Sequence, residues 1–145
     1  MTQDLPESMR RVREAAAEAG LTIAPKLMPN STRTAPEAAK ACGCDVAQIV
    51  KSLIFRGSST GKPYLLLISG ANRVDEAAAA ASIGEALARP DAGFVREVTG
   101  FSIGGVAPFG AAQPMETFHD PDLMNFDTVW AAAGTPLAVF EVGRF

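Results

Sequence analysis

Residues 63–69 read Pro-Tyr-Leu-Leu-Leu-Ile-Ser, an apolar run of strand length with no polar alternation. Such a run has no face to give to water, so it predicts a central strand covered on both sides. That requirement sets the architecture: a sheet with a packed layer on each face. The preceding segment, 50–56, predicts a second strand, with Lys51, Leu53 and Phe55 on one face and Ser52 and Ile54 on the other. Gly57-Ser58-Ser59-Thr60-Gly61-Lys62 between the two has the composition of a hairpin loop.

Helices and strands alternate through the rest. Residues 8–19 predict a helix with Ser8 as N-cap and Gly20 just past its end. Residues 21–27 predict a strand that Pro25 confines to a sheet edge. Thr34 caps a second helix, with Pro36 and Glu37 in its first turn and Gly43 as its stop; Asp45 caps a short turn after it. Asp75 opens an alanine-rich helix, 83–88 form a short strand around Glu85-Ala86-Leu87, and Pro90 or Asp91 starts a helix ending at Gly100. Residues 115–119, 128–132 and 137–142 complete the strands, the first two separated by the turn Asp120-Pro121. Alternating elements interrupted by hairpins predict an α/β or α+β fold with a mixed sheet. At 145 residues, without linker or repeat, the chain reads as one domain.

Composition narrows the function. A net charge of -3 opposes an autonomous nucleic-acid footprint, although Arg10, Arg11 and Arg13 cluster near the start and Lys51, Arg56 and Lys62 in the middle. Without a basic recognition helix, DNA is not an expected partner. No apolar run is long enough to span a bilayer, and no signal-peptide pattern opens the chain, so a cytoplasmic location without a membrane partner is expected. Cys42 and Cys44 are too close for an ordinary disulfide, and with one distant histidine they make no zinc set; they read as reduced thiols. No metal and no cofactor are expected.

Two features can carry chemistry. In Thr99-Gly100-Phe101-Ser102-Ile103-Gly104-Gly105-Val106-Ala107-Pro108-Phe109-Gly110, four glycines and a proline stand among apolar residues. This is either a tight buried turn or a shaped loop whose N–H groups converge on a ligand oxygen, as oxyanion-hole donors do. Lys51, in an otherwise apolar strand, is either a solvated residue at a strand start or a cation directed into a pocket. His119, at a strand end, reads as a surface histidine in preference to a general base. Asn72, Arg73 and Asp75 read as a loop and helix cap that could also close one end of a site. Asp120, Asp122 and Asp127 read as loop and capping carboxylates. Nucleotide-loop, zinc-protease and hydrolase-triad motifs are absent.

Taken in order, Val50-Lys51-Ser52-Leu53-Ile54-Phe55, Asn72-Arg73-Val74-Asp75, Thr99-Gly100-Phe101 with Gly104-Gly105-Val106-Ala107-Pro108-Phe109-Gly110, and Ala133-Gly134-Thr135-Pro136 resemble the YbaK/ProX family. Its members are aminoacyl-tRNA editing domains related to the insertion domain of bacterial prolyl-tRNA synthetase. The resemblance implies a mixed, barrel-like sheet flanked by helices. It also implies trans-editing: hydrolysis of the ester that joins a wrong small amino acid (Ala, Cys, Ser, Thr or similar) to tRNA, notably tRNA-Pro. The family's essential lysine matches Lys51, and its glycine loop matches Gly104 and Gly105. The substrate is expected against Phe101, Ser102, Gly104, Gly105, Val106, Pro108, Gly134 and Thr135, with water or a substrate group as nucleophile. The expected partner is the 3′-terminal adenosine and acyl group of aminoacyl-tRNA, with tRNA affinity borrowed from prolyl-tRNA synthetase or an elongation factor. Several family members carry a polar residue, often His or Asp, near the segment that here reads Gly134-Thr135-Pro136-Leu137-Ala138; Leu137 and Ala138 cannot do acid/base work, which leaves the acyl preference open. A second class also stays open: a non-catalytic module that binds aminoacyl-adenosine or docks on a synthetase.

Overall fold

The computed structural model describes residues 6–102 and 104–143. Among the described residues four α-helices, α1 (Glu7–Glu18), α2 (Ala35–Cys42), α3 (Glu76–Ile83) and α4 (Ala92–Thr99), accompany seven strands. The strands are β1 (Lys26–Leu27), β2 (Ile49–Gly57), β3 (Pro63–Ser69), β4 (Leu87–Ala88), β5 (Glu116–His119), β6 (Thr128–Ala132) and β7 (Ala138–Gly143). They form one sheet in the order β1-β7-β6-β2-β3-β5, with β4 also on β2. The β2–β6 and β3–β5 pairs are parallel and the others antiparallel. The sheet is therefore mixed, as expected, and it keeps two edges, so the barrel-like form is not a closed barrel.

The apolar run of β3 is covered on both faces. Leu65 and Leu67 join Val50 and Ile54 in the main core, where Met9, Val12 and Ala16 of α1, Val98 of α4 and Phe101 meet Phe140. Tyr64 and Leu66 face the other way with Phe55, against Ala79 and Ile83 of α3 and Leu87. On that same side α2 packs Ala38 and Ala39 on Ile49 and Trp130. Lys51 shares the face of Ile49 and Phe55; Ser52 shares that of Val50 and Ile54.

Local chemistry accounts for most boundaries. The Thr34 hydroxyl accepts the Glu37 N–H at 3.3 Å, and Gly43 ends α2 at φ +69. Asp75 and Asp91 cap α3 and α4 through the Ala78 and Phe94 N–H groups, and Gly100 ends α4 at φ +74. Three expectations need correction. The N-cap of α1 is Pro6, not Ser8, which lies inside the helix. The strand expected over 21–27 is cut to Lys26–Leu27 at the sheet edge, since Pro25 has no N–H to donate. The strand expected over 83–88 shrinks to Leu87–Ala88, because Ile83 still belongs to α3 and Gly84 turns the chain at φ +101.

Candidate active site

Strand length creates the site. β2 has 9 residues and β6 only 5. They pair at Ile49↔Trp130 and Val50↔Ala131 and then part, because β6 ends at Ala132 and turns back into β7. On that side β2 next pairs at Arg56, with β4. Between the two ladders the edge of β2 has no strand partner among the described residues, and a cleft of about 450 Å³ opens beside it. Lys51, Ser52 and Leu53 form one wall, Ala131 and Ala132 another, Thr34 to Pro36 at the start of α2 a third. Gly104 and Val106 of the glycine loop close it.

Lys51 is half-buried, and its Nζ donates to the main-chain carbonyl of Asn72. The Asn72 amide in turn donates to Asp120 Oδ2 at 2.8 Å and to Asp122 Oδ2 at 2.7 Å. Asp120 also accepts the N–H groups of Ser69 and Asp122. Thus the three polar residues read as caps and loop carboxylates anchor the carbonyl that holds the lysine. Burial, and then the Arg73 charge, hold the Lys51 ammonium below the ordinary lysine range, with Asp120 pulling the other way. Burial pushes Asp120 up, but the bonds from Asn72, Asp122 and Ser69 and the Lys51 charge leave it below its usual value.

The glycine loop is held at its neck. Arg11 of α1 donates through Nη2 to the carbonyls of Thr99 at 2.9 Å and Gly110 at 2.6 Å, and its guanidinium lies 4.9 Å from the Phe101 ring centre. Gly104 has φ +83, a conformation that glycine adopts without strain. Gly105 is needed for close approach: a Cβ there would lie 2.6 Å from the Thr135 main chain. Its N–H donates to the Ser102 carbonyl at 2.9 Å, so of the two loop N–H groups expected to face a ligand, that of Gly105 is already engaged.

The expected site residues therefore divide. Lys51, Gly104 and Val106 line one cleft. Phe101, 1% exposed, belongs to the core, and Gly105 and Thr135 abut each other without lining the cleft. Gly134 packs on Ser8 of α1; Ser102 and Pro108 also lie off the cleft wall. His119 is exposed and borders a second cavity of about 440 Å³ beneath α3, together with Asn72, Arg73 and Asp75. Sequence reasoning missed Ser52 and Arg33, both on the cleft wall. Ser52 Oγ is out of solvent and has no hydrogen-bond partner among the described residues. A serine in an apolar strand beside Lys51 was the available signal; Arg33, before a helix cap, gave none. Burial, and then Cys44, push the Cys42 thiol up to about 11, and burial followed by Asp45 raises Cys44, so neither is a ready nucleophile. Among the described residues no cluster of His, Cys, Asp and Glu could hold a metal ion, and no helix is long and apolar enough to cross a membrane.

A half-buried lysine and a positive-φ glycine thus line one cleft at the edge of a strand in a mixed sheet. Residues 29–143 match the family model of the aminoacyl-tRNA editing domain, and the chain belongs to that family. It is 46% identical to a crystal structure described as "a putative trans-editing enzyme for prolyl tRNA synthetase", with a TM-score of 0.85 over 95% of this chain and 87% of that one. It is 30% identical to the crystal structure of the hypothetical protein APE2540, with a TM-score of 0.83 over 90% of this chain and 87% of the other. The uncharacterized protein YwhH of Bacillus subtilis (strain 168) is 33% identical over 112 residues, 77% of this chain and 71% of that protein.

Proposed function

We propose that this chain is a trans-acting aminoacyl-tRNA deacylase that removes a small wrong amino acid from tRNA, tRNA-Pro in the first place. The observation that carries the reading is the placement of Lys51 and Gly104 on one cleft beside an unpaired strand edge, in a member of the editing-domain family. An aminoacyl ester is already activated, so its hydrolysis asks for positioning and for stabilisation of the developing oxyanion. In this reading the acyl group enters between β2 and the glycine loop. The Gly104 main chain faces the ester carbonyl, and Lys51 with Asn72 fixes the rim. Water adds to the carbonyl carbon, its proton passing to the free hydroxyl of the terminal ribose. The ester C–O bond then breaks, the ribose oxygen takes the proton, and the free amino acid leaves. Small walls at Ala131, Ala132 and Val106 suit a short side chain, and a methylene more or less is worth only ~1–3 kcal/mol of discrimination.

The test is release of amino acid from tRNA-Pro charged with alanine, cysteine, serine, threonine or proline, with wild type and Lys51→Ala side by side. Lysine-dependent loss of a mischarged species, with prolyl-tRNA spared, is the expected result. Turnover that persists in Lys51→Ala removes the lysine from the mechanism. Failure on every charged tRNA, with retained binding of aminoacyl-adenosine, leaves a non-catalytic module.

A further inference from the structure

The Lys51 ammonium is turned to the Asn72 carbonyl. A substrate that ends in a nucleotide also brings a phosphate to the mouth of the cleft, and that anion needs a second cation. Arg33 lines the cleft. Its main chain is fixed on both sides: the Thr32 N–H and hydroxyl both donate to the Pro136 carbonyl at 2.8 Å, and Thr34 caps α2. The Arg33 N–H itself donates to Ser31 Oγ at 3.2 Å. Its side-chain stem lies along Gly104, where an added Cβ would stand 2.7 Å from Arg33 Cγ and 3.3 Å from Nε. The bare Gly104 main chain is what lets the stem lie there.

Of the arginines, Arg33 is the one that lines this cleft among the described residues, and three others are occupied elsewhere. Arg11 holds the Thr99 and Gly110 carbonyls, Arg56 lies over Phe94, and Arg89 pairs with Glu76 and lies over Phe55. Among the described residues Arg33 has no carboxylate in ion-pair range and no ring under its guanidinium. A stem held in place, an exposed fork and a position on the cleft, in a chain of net charge -3, fit a phosphate that arrives with the ligand. The planar guanidinium matches phosphate oxygens two at a time, which a lysine cannot do.

We propose that Arg33 binds the 5′-phosphate of the terminal nucleotide whose acyl group enters the cleft. The proposal rests on the reading that the ligand is the acylated 3′ end of an RNA. It gives Gly104 a second duty, since a side chain at that position displaces the Arg33 stem.

The test uses two stable analogues in which an amide replaces the ester: 3′-alanylamino-3′-deoxyadenosine, with and without its 5′-phosphate. Calorimetry with wild type, Arg33→Lys and Arg33→Gln reads binding without turnover. Wild type is expected to bind the phosphorylated analogue about 10- to 100-fold more tightly, the range of a charged hydrogen bond. Arg33→Gln is expected to erase that gain and leave the unphosphorylated analogue within twofold of wild type, with Arg33→Lys in between. The salt dependence of the phosphorylated analogue should lose about 0.7 in logarithmic slope in Arg33→Gln, the share of one phosphate on a single strand. Equal weakening of both analogues assigns Arg33 to support of the Gly104 loop and overturns the proposal. So does a wild type that ignores the phosphate, whether or not the ester is hydrolysed. Clear phosphate dependence with no hydrolysis of any charged tRNA refutes the deacylase reading alone.

Discussion

At the scale of single residues, Lys51 and Ser52 lead to opposite experiments from adjacent positions. Lys51 is held below the ordinary lysine range by burial and then by Arg73. If the protonated ammonium supports turnover, activity corrected for spontaneous hydrolysis falls as pH rises through that lowered value. Arg73→Gln removes a like charge, so the fall should move to higher pH; a profile that stays in place would falsify the Lys51 assignment. Ser52 carries a buried hydroxyl oxygen without a partner among the described residues. An unsatisfied buried hydroxyl costs about 1–3 kcal/mol, so Ser52→Ala is expected to raise stability by about 1 kcal/mol in a urea titration. Loss of stability instead means that the hydroxyl already has a partner in solution.

Among the elements, the β2–β3 hairpin is locked by one carboxylate from another segment. Glu85 Oε1 accepts the N–H groups of Ser59 and Thr60 at 3.0 Å, and Oε2 accepts the hydroxyls of Thr60 at 2.7 Å and Tyr64 at 2.6 Å. The Tyr64 bond first, then those of Thr60, bring its pKa down to about 2. A carboxylate lowered on folding stabilises fully above its unfolded value, and that contribution fades as pH falls through the folded one. Thermal melts from pH 5 down to pH 2 should therefore show an acid loss that Glu85→Gln lacks; parallel curves for the two proteins rule the lock out. Gly57→Ala tests the same contact from beneath, since a Cβ there would lie 2.4 Å from the Glu85 carboxylate. This pocket for Glu85 also explains where sequence reading stopped. The runs of β2 and β3 and the caps Thr34, Asp75 and Asp91 are local signals, and they were legible. The carboxylate of Glu85 answers donors 25 and 26 residues away in sequence, so 83–88 read as a strand until the fold brought those donors to it. The cleft has the same origin: the parting of β2 from β6 depends on the relative lengths of two strands far apart in the chain. Lys51 and Gly104 could be singled out from sequence, but their shared cavity could not.

For the molecule as a whole, α1 ties the editing-domain segment together from outside it. The helix precedes residue 29, where the family match begins, yet Met9, Val12 and Ala16 are wholly buried in the main core. Through Arg11 the same helix holds both ends of the glycine loop, and through Ser8 it backs the turn at Gly134. Stability and site geometry thus enter through separate residues of one helix, and two substitutions can part them. Met9→Ala leaves a cavity in the core and should cost about 2–5 kcal/mol in denaturant titration. The folded fraction should keep its turnover, because the loop neck is untouched. Arg11→Met keeps the apolar stem and gives up the bonds to Thr99 and Gly110, at about 2–3 kcal/mol. Its folded fraction, assayed well below the melting temperature, should turn over more slowly, and protease should cut within 100–110 where wild type resists. Should both variants lose stability while neither loses turnover per folded molecule, the neck of the loop is closed by the main-chain bonds from Ala112 to Thr99 and from Gln113 to Val98 without help from α1.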